Sequence, residues 1–206
     1  EWEKENNERV RFVDLKEEKL MQKIMLERNQ KDYLDYYLFL MDTGLRKTEA
    51  LKLKKSDVQT DVVSKTQYVI VQESKNNEKR SVPLCKRASE IVSRLIEHKE
   101  EDDCIFQLNT WTVQHKWTDL RELMGLEDDR EFTLHALRHT YASRLAQSGK
   151  VDFHKIGVLM GHKSLQMTKR YSHLMPQHTF SVVDVLDNDR SSDASEKLID
   201  IKSHKG

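Results

Sequence analysis

Residues 67–72, QYVIVQ, interrupt a chain whose apolar residues otherwise recur at helical spacing. Their β-branched and aromatic character is typical of a strand, and 80-RSVPL-84 is a second short extended segment. The polar stretch between them, 74-SKNNEK-79, contains an Asn pair that favours a turn. The sequence therefore predicts one β-hairpin within an otherwise helical chain.

Helical patterns lie on both sides of this hairpin. Asp14 and Glu17 have the spacing of a capping box, which predicts that the first helix begins there. An apolar helix over 33–41 is closed by Gly44, and a short amphipathic helix follows within 44–58. Further helices are predicted over 86–100, 111–125, 135–148, 152–160 and 164–175. The predicted fold class is mainly α with a small antiparallel β-sheet or hairpin, which is an α+β architecture.

Positive charge is concentrated in two blocks, although 35 Lys and Arg balance 35 Asp and Glu over the whole chain. Residues 44–90 carry a net charge of +5 and residues 133–174 a net charge of +6, so the remainder carries −11. A local basic face of this kind can hold phosphates even where the whole molecule is neutral. No apolar run approaches the roughly 18 residues that a membrane span needs. We therefore expect a phosphate-bearing partner and no membrane.

Length and cysteine usage limit the class of protein. A chain of 206 residues is long enough for one good-sized core. Cys85 and Cys104 are its two cysteines, and they form neither a CxxC pair nor a disulfide-dense pattern. Such sparse thiols are typical of a reducing compartment, so we predict a cytoplasmic location.

The segment 135-HALRHT-140 places two histidines and an arginine on one helix face. A metal site, a phosphate site and a buried polar cluster all fit that arrangement. The HxxxH spacing of His135 and His139 is one that metal ligands use. However, no carboxylate or thiol within 133–174 completes a ligand set convincingly, and Arg138 would repel a cation. We therefore predict no metal site, which leaves a phosphate site and a buried polar cluster as the two interpretations.

Six polar residues follow in order along the chain, each near the start or end of a predicted element: Arg46, Lys75, His135, Arg138, His162 and Tyr171. They lie in the motifs TGLRKTEALKLKKSDV, SKNNEKRSVPL, HALRHTYASRLAQSG and IGVLMGHKSLQMTKRYSHL. In these motifs, from about residue 15 to residue 174, the chain resembles the catalytic domain of the tyrosine recombinases, the phage integrase family. The resemblance implies the catalytic-domain fold of that family, the DNA breaking-rejoining fold. It also implies a site-specific recombinase or integrase of a phage or other mobile genetic element.

The resemblance gives the two arginines and the tyrosine their roles. Arg46 and Arg138 would clamp the non-bridging oxygens of a DNA phosphate with charge-assisted bonds. Tyr171 would attack the phosphorus and form a 3′-phosphotyrosyl link, which leaves a free 5′ hydroxyl. Glu49, one turn beyond Arg46, would either support that arginine or form a surface ion pair.

The remaining roles concern protons and the phosphate. His135 is expected to accept the proton of the nucleophile or to orient the group that does, and His162 to bond a phosphate oxygen. Lys75 would protonate the departing 5′ oxygen, with Lys79 as the alternative. His139 is expected to support these groups or to lie in the core. Because the phosphotyrosyl link stores the bond energy, the resemblance implies no metal and no nucleotide cofactor.

The resemblance also predicts the organisation of the chain and its partners. Residues 1–13 would be a linker from an absent N-terminal DNA-binding domain, 14–186 the catalytic domain, and 187–206 a flexible polar tail. Residues 176–186, which include 180-FSVVDVL-186, would be a segment that docks in cis or on a neighbouring subunit. The expected partners are double-stranded DNA recombination sites, three further copies in a homotetramer on DNA, and accessory DNA-bending proteins. The isolated chain is expected to be a monomer.

Two other functions fit parts of the same pattern. A non-catalytic DNA-binding protein could have kept the recombinase fold, in which case substitution of Tyr171 would change no covalent chemistry. A metal-dependent nuclease could use the histidine cluster, and a chelator would then abolish its activity. Both alternatives are distinguished from a recombinase by a covalent DNA adduct that forms without metal.

Overall fold

The structure, a computed structural model, describes residues 10–72 and 79–176. Its helices are α1 (Leu15–Glu27), α2 (Lys31–Thr43), α3 (Lys47–Lys52), α4 (Lys86–Ile96), α5 (Thr110–Leu123), α6 (Leu134–Ser148), α7 (Phe153–Met160) and α8 (Leu165–Lys169). Its strands are β1 (Val58–Thr60), β2 (Gln67–Gln72) and β3 (Lys79–Pro83), and 3₁₀ turns cover Lys55–Asp57 and Ser172–Leu174. These elements belong to one compact unit that ends at Met175. None of the described helices is long and apolar enough to cross a membrane.

The predicted hairpin is present as β2 and β3, which pair antiparallel with Val69 opposite Val82. A third strand, β1, pairs antiparallel with the other edge of β2, so the strand order is β1-β2-β3. Strand β1 was not predicted, because three residues with one apolar side chain show no period of two. The side chains of Val69, Val71 and Val82 are buried and attach one face of the sheet to the core.

Most predicted helices are confirmed, with ends that shift by a few residues. Asp14 and Glu17 form the capping box at the start of α1, with the Asp14 carboxylate accepting from the Glu17 amide at 2.8 Å. The helix predicted within 44–58 covers only Lys47–Lys52, because a 3₁₀ turn and β1 take up the rest. The prediction of one continuous helix over 164–175 was wrong. The helix breaks after Lys169, and Tyr171 stands in the break with φ −99° and ψ −3°.

The main core is built around α2, which is buried on almost every side. Tyr36, Tyr37 and Phe39 are fully buried there. Tyr37 packs edge-on against Trp117 of α5 and Tyr36 against Phe106, each at 5.2 Å between ring centroids. Edge-to-face pairs of this kind contribute roughly 0.5–1.5 kcal/mol each beyond the burial of their area. This aromatic layer holds α2 rigidly and thereby fixes the chain that leaves it at Gly44.

A smaller apolar cluster lies between α6, α7 and the chain after α8. Ala142 and Ala146 of α6 face Ile156 and Met160 of α7, and the ring of Tyr171 completes the cluster at 1% exposure. The alanines leave room for the aromatic ring on the surface of α6. Because α8 ends before Tyr171, the tyrosine ring can turn inward and pack in this cluster.

Ion pairs tie α6 to α1, and through α1 to α4 and α2. The buried carboxylate of Glu18 in α1 accepts from Arg144 of α6 at 2.5 Å and also from Arg87 of α4. Arg87 in turn pairs with Asp42 of α2 at 2.6 Å. Arg144 is thus a structural arginine on the same helix as Arg138.

Gly44 closes α2 in the left-handed region, with φ 65°. A Cβ atom at this position would lie 2.4 Å from Tyr141 Cδ1 and 2.9 Å from Met160 Sδ. Gly125 has a similar φ of 69°, but no atom lies within 4 Å of its Cβ position. Substitution of Gly125 therefore tests backbone strain alone, whereas substitution of Gly44 adds steric overlap to the same strain.

We expect Gly125→Ala to lower the free energy of unfolding by about 1–2 kcal/mol, the cost of the left-handed backbone. Gly44→Ala should lose a further ~1–3 kcal/mol, because the methyl group overlaps packed side chains. Urea unfolding of both variants measures the difference. Equal losses in the two variants would show that the contact with Tyr141 and Met160 has no energetic weight.

Candidate active site

Arg138 is the buried centre of the site. It lies in α6, which begins after its N-cap Thr133, and its guanidinium is nearly inaccessible to solvent. Nη1 donates to the Gly44 carbonyl and Nη2 to the Met160 carbonyl. These carbonyls lie at the C-terminal ends of α2 and α7, where helix carbonyls lack partners and the helix dipole favours a cation. Arg138 therefore joins two helix ends and is held in one orientation.

Arg46 approaches the same helix end from another direction. It is the N-cap of α3, two residues after Gly44. Its Nη2 donates to the Gly161 carbonyl at 3.1 Å and its Nη1 to Glu49 Oε1 at 2.7 Å, while 37% of its side chain stays exposed. Burial, and next the charge of Arg46, lower the pKa of Arg138 to about 10. The two guanidinium groups thus act on each other, which an anion between them would relieve.

A third arginine, Arg80 of β3, was not among the predicted site residues. Its Nη2 donates to Glu49 Oε2 at 2.8 Å and its Nε to the Leu159 carbonyl at 3.3 Å. The alternation of side chains along a strand could have identified Arg80, because it lies two residues before the buried Val82 and so faces inward. An arginine on an inward face needs hydrogen-bond acceptors, and here the acceptors are Glu49 and the end of α7, which also contact Arg46 and Arg138.

Glu49 holds Arg46 and Arg80 together. Its carboxylate is 13% exposed and also accepts from the Arg46 backbone amide at 2.8 Å. Burial alone would raise the pKa of Glu49, but the hydrogen bonds from Arg80 and from the Arg46 amide outweigh it and lower the pKa. Of its two predicted roles, Glu49 has the supporting one, since it orients Arg46 as an ionised partner.

The hydroxyl of Tyr171 lies 2.6 Å from His139 Nδ1, within hydrogen-bond distance. His139 was expected to have only a supporting or core position, so this contact was not predicted. Burial raises the pKa of Tyr171 to about 12, although the charges of Arg138 and Arg170 oppose the shift. The phenol is therefore neutral at pH 7 and needs a proton acceptor before it can attack an electrophile.

His135 and His162 lie on either side of this pair. The ring of His135 meets the ring of His139 edge-on at 4.6 Å between centroids. The ring of His162 is nearly parallel to that of Tyr171 at 6.5 Å, and its Nδ1 lies 2.8 Å from Thr168 Oγ1. Gly157 makes room for this threonine, because a Cβ there would lie 2.9 Å from Thr168 Oγ1.

All three histidines are less basic than usual. Burial, and next the charge of Arg138, lower the pKa of His135 and lower the pKa of His162 to about 4. Burial and then His135 lower the pKa of His139 to about 3. The imidazoles are therefore neutral at pH 7 in a site where, among the described residues, three guanidinium groups outnumber the one carboxylate, Glu49. Such a site favours the arrival of an anion, which would raise these pKa values again.

Two cavities open on these residues. One of about 640 Å³ is lined by His135, His139, Arg170 and neighbours that include Lys169 and Ser164. Another of about 660 Å³ is lined by Arg46, Glu49 and Lys163, among others. Within residues 10–72 and 79–176, no group of three or more His, Cys, Asp or Glu is arranged to hold a metal ion. Arginine and lysine side chains line both cavities, beside Glu49 and Asp57 in the larger one and Glu131 in the smaller one.

The structure brings together the predicted site residues that it describes: Arg46, His135, Arg138, His162 and Tyr171. Lys75 lies outside the described residues, as do the segment 177–186 and the tail 187–206. The alternative lysine, Lys79, is the exposed first residue of β3 and pairs with Gln72 of β2.

A model of the phage integrase family matches residues 11–178. The chain belongs to the phage integrase family. Among its relatives, the shufflon-specific DNA recombinase of Escherichia coli is 27% identical over 178 residues, which are 85% of this chain and 43% of that protein. Tyrosine recombinase XerA of Saccharolobus solfataricus is 28% identical over 169 residues, 79% of this chain and 55% of that protein. This integrase-family chain thus spans about half the length of the curated relatives that it matches.

The fold of this phage integrase family member is also found in solved structures. The catalytic domain of bacteriophage HP1 integrase superposes with a TM-score of 0.67 at 22% identity, over 85% of this chain and 95% of that one. The family and the catalytic-domain fold predicted from the motifs are therefore confirmed.

The depressed histidine pKa values predict how the stability of the chain depends on pH. Unfolded histidines bind protons near pH 6.5, whereas folded His139 and His162 stay neutral down to about pH 3 and 4. The free energy of unfolding should therefore be highest above pH 6.5 and fall as the pH drops towards 5. Urea unfolding at several pH values measures this slope. His162→Gln should make the free energy of unfolding less dependent on pH. An unchanged dependence would contradict the low pKa of His162.

Proposed function

We propose that this chain is the catalytic domain, residues 14–186, of a site-specific DNA recombinase or integrase of a phage or other mobile genetic element. It would cleave and rejoin DNA through a 3′-phosphotyrosyl intermediate with Tyr171 as the nucleophile. One observation carries the proposal. The hydroxyl of the buried Tyr171 lies 2.6 Å from a histidine nitrogen, close to the end of α7 where Arg46 and Arg138 both donate to backbone carbonyls. Family membership supports the same reaction.

Arg46 and Arg138 would bind the two non-bridging oxygens of the scissile phosphate. Carbonyls at the helix ends and Glu49 already orient both guanidinium groups, so little reorganisation is needed when charge builds up on the phosphate. Guanidinium groups also keep their protons throughout the reaction and can bond oxygens in pairs. This preorganised positive charge would replace the charge neutralisation that other phosphoryl-transfer enzymes obtain from a metal ion. No metal and no nucleotide cofactor is required in this scheme.

The other predicted residues would act on the phosphate and on protons. The contact of His162 Nδ1 with Thr168 leaves Nε2 to bond a phosphate oxygen. His135 would serve proton transfer at the nucleophile, either directly or by orienting the acceptor. Lys75 would protonate the departing 5′ oxygen. Rejoining reverses the same transfers, because the phosphotyrosyl bond keeps the energy of the bond that was cleaved.

Double-stranded DNA recombination sites are the proposed substrate. Among the structural neighbours, XerH recombinase was solved bound to difH substrate and the Tn1549 transposon integrase in complex with circular intermediate DNA. The basic block at 133–174 contains most of the site and suits the same partner. We further propose a homotetramer on DNA, a monomer when the chain is isolated, and assistance from DNA-bending proteins.

Tyr171→Phe tests the nucleophile, because it removes the attacking oxygen and keeps the ring that fills the small core. Wild type is mixed with a library of nicked DNA duplexes whose sequence around the nick is random, and adducts are separated on a denaturing gel with EDTA present. We expect a covalent protein-DNA band for wild type and none for the variant. A wild-type sample without any covalent band would favour the non-catalytic DNA-binding alternative, and cleaved strands that carry no protein and appear only when EDTA is left out would favour the nuclease.

Arg138→Lys tests the phosphate clamp while it keeps a positive charge on α6. We expect the rate of adduct formation to fall by about 10²–10³, because one of the two oriented donors is lost. Arg144→Lys is the matched control on the same helix, since Arg144 pairs with Glu18 and not with site residues. Equal rates for the two variants would contradict the role of Arg138.

A further inference from the structure

We infer that His139 accepts the proton of the Tyr171 hydroxyl through its Nδ1 atom when that hydroxyl attacks phosphorus. The inference rests on the proposed function, in which Tyr171 is the nucleophile. It gives His135 the second of its two predicted roles, which is to orient the acceptor. The HALRHT segment would then contribute Arg138 to the phosphate clamp, His139 as the proton acceptor and His135 as the residue that orients the acceptor.

The geometry favours His139 over His135. His139 Nδ1 is 2.6 Å from Tyr171 Oη, a distance at which a proton can pass directly. His135 contacts the His139 ring edge-on, with the ring centroids 4.6 Å apart. His139 thus contacts both Tyr171 and His135, and both histidines line the cavity of about 640 Å³.

Packing fixes both partners of the 2.6 Å contact. The ring of Tyr171 lies against Ala142 and Ala146, which follow His139 at i+3 and i+7 on the same helix. These residues share one face of α6, so the ring and the imidazole are positioned by a single rigid element. The hydroxyl of a buried ring has little freedom to turn away, and the hydrogen bond to His139 therefore defines its direction.

Burial keeps the proton on the tyrosine, and burial together with the positive charges around the pair keeps His139 from taking that proton until an anion arrives. The titratable and charged groups that act on His139 are His135 and Arg138 of α6, His162 after α7, and Arg170 beside Tyr171. With burial they hold the pKa of His139 near 3 while that of Tyr171 is near 12. A phosphate held by Arg46 and Arg138 would offset this positive field and make His139 more basic. DNA binding would thus activate the nucleophile.

The step balances within the groups named. The Tyr171 Oη–H proton moves to His139 Nδ1 as an Oη electron pair forms the new bond to phosphorus. The bond from phosphorus to the 5′ oxygen breaks, and its electron pair stays on that oxygen, which takes a proton from Lys75 in the proposed scheme. In rejoining, the 5′ oxygen attacks phosphorus, Lys75 recovers its proton, and the imidazolium of His139 returns its proton to Tyr171.

His139→Ala with added imidazole is the main test, on the DNA duplex that wild type captures from the random library. We expect adduct formation to slow about 100-fold or more while DNA affinity, measured by fluorescence anisotropy, stays within about twofold. Imidazole, which fits the adjacent cavity, should restore at least part of the rate. His135→Ala is the matched control from the same cavity and helix face. Rescue of His135→Ala but not of His139→Ala would overturn the assignment and identify His135 as the acceptor.

Two further measurements separate a proton acceptor from a structural residue. In His139→Gln the side chain can still hydrogen bond but cannot take a proton, so the rate should rise about tenfold per pH unit as the fraction of tyrosinate grows. A 5′-bridging phosphorothiolate duplex has a sulfur leaving group that needs no proton, so it should rescue Lys75→Ala and leave His139→Ala slow. Rescue of His139→Ala by the phosphorothiolate would place His139 at the leaving oxygen and overturn the inference.

The outcomes also separate this inference from the proposed function. If wild type forms no adduct, the proposed function fails and the inference falls with it. If wild type forms an adduct that Tyr171→Phe abolishes, and His139→Ala forms it at the wild-type rate, only the inference is overturned. Circular dichroism of each variant shows whether slow adduct formation reflects loss of the fold, and His139→Gln then provides the comparison that keeps the side-chain volume.

Discussion

Three arginines donate to three successive carbonyls at the end of α7, and the site depends on this contact. The end of a helix leaves its last carbonyls without partners, and the helix dipole makes them favourable for cations. Here the donors come from β3, α6 and the start of α3, so the sheet and two helices meet at one point. The pairs are Arg80 with Leu159, Arg138 with Met160, and Arg46 with Gly161.

The same contact explains the electrostatics of the site. Positive charge brought together by helix-end carbonyls is only partly balanced by Glu49. Burial first, and this charge second, lower the pKa of His135 and of His162. The site is therefore complementary to an anion before any anion is bound. In the proposed reaction, a phosphate would supply the missing negative charge and make the histidines more basic. Substrate binding would then also prepare the site for proton transfer.

Much of the fold could be predicted from local signals, because capping residues, glycines in the left-handed region and apolar spacing are read along the chain. The predicted site residues came from ordered motifs, and the structure brings the described ones together. His139 and Arg80 were missed for a physical reason. Which of two histidines on one helix face meets Tyr171 depends on the break after α8, and the acceptors of Arg80 come from α3 and α7. Neither fact is local in sequence.

The spacing within HALRHT has a geometric consequence for the reaction. Arg138 points towards the ends of α2 and α7, while His139, the next residue, turns about 100° around α6 and meets Tyr171. In the proposed reaction, a phosphate gripped by the arginine and a hydroxyl held by the histidine would therefore be placed by neighbouring residues of a single helix. That helix, α6, is anchored near its other end by the ion pair of Arg144 with Glu18. Rigid placement of this kind is what in-line attack on phosphorus requires.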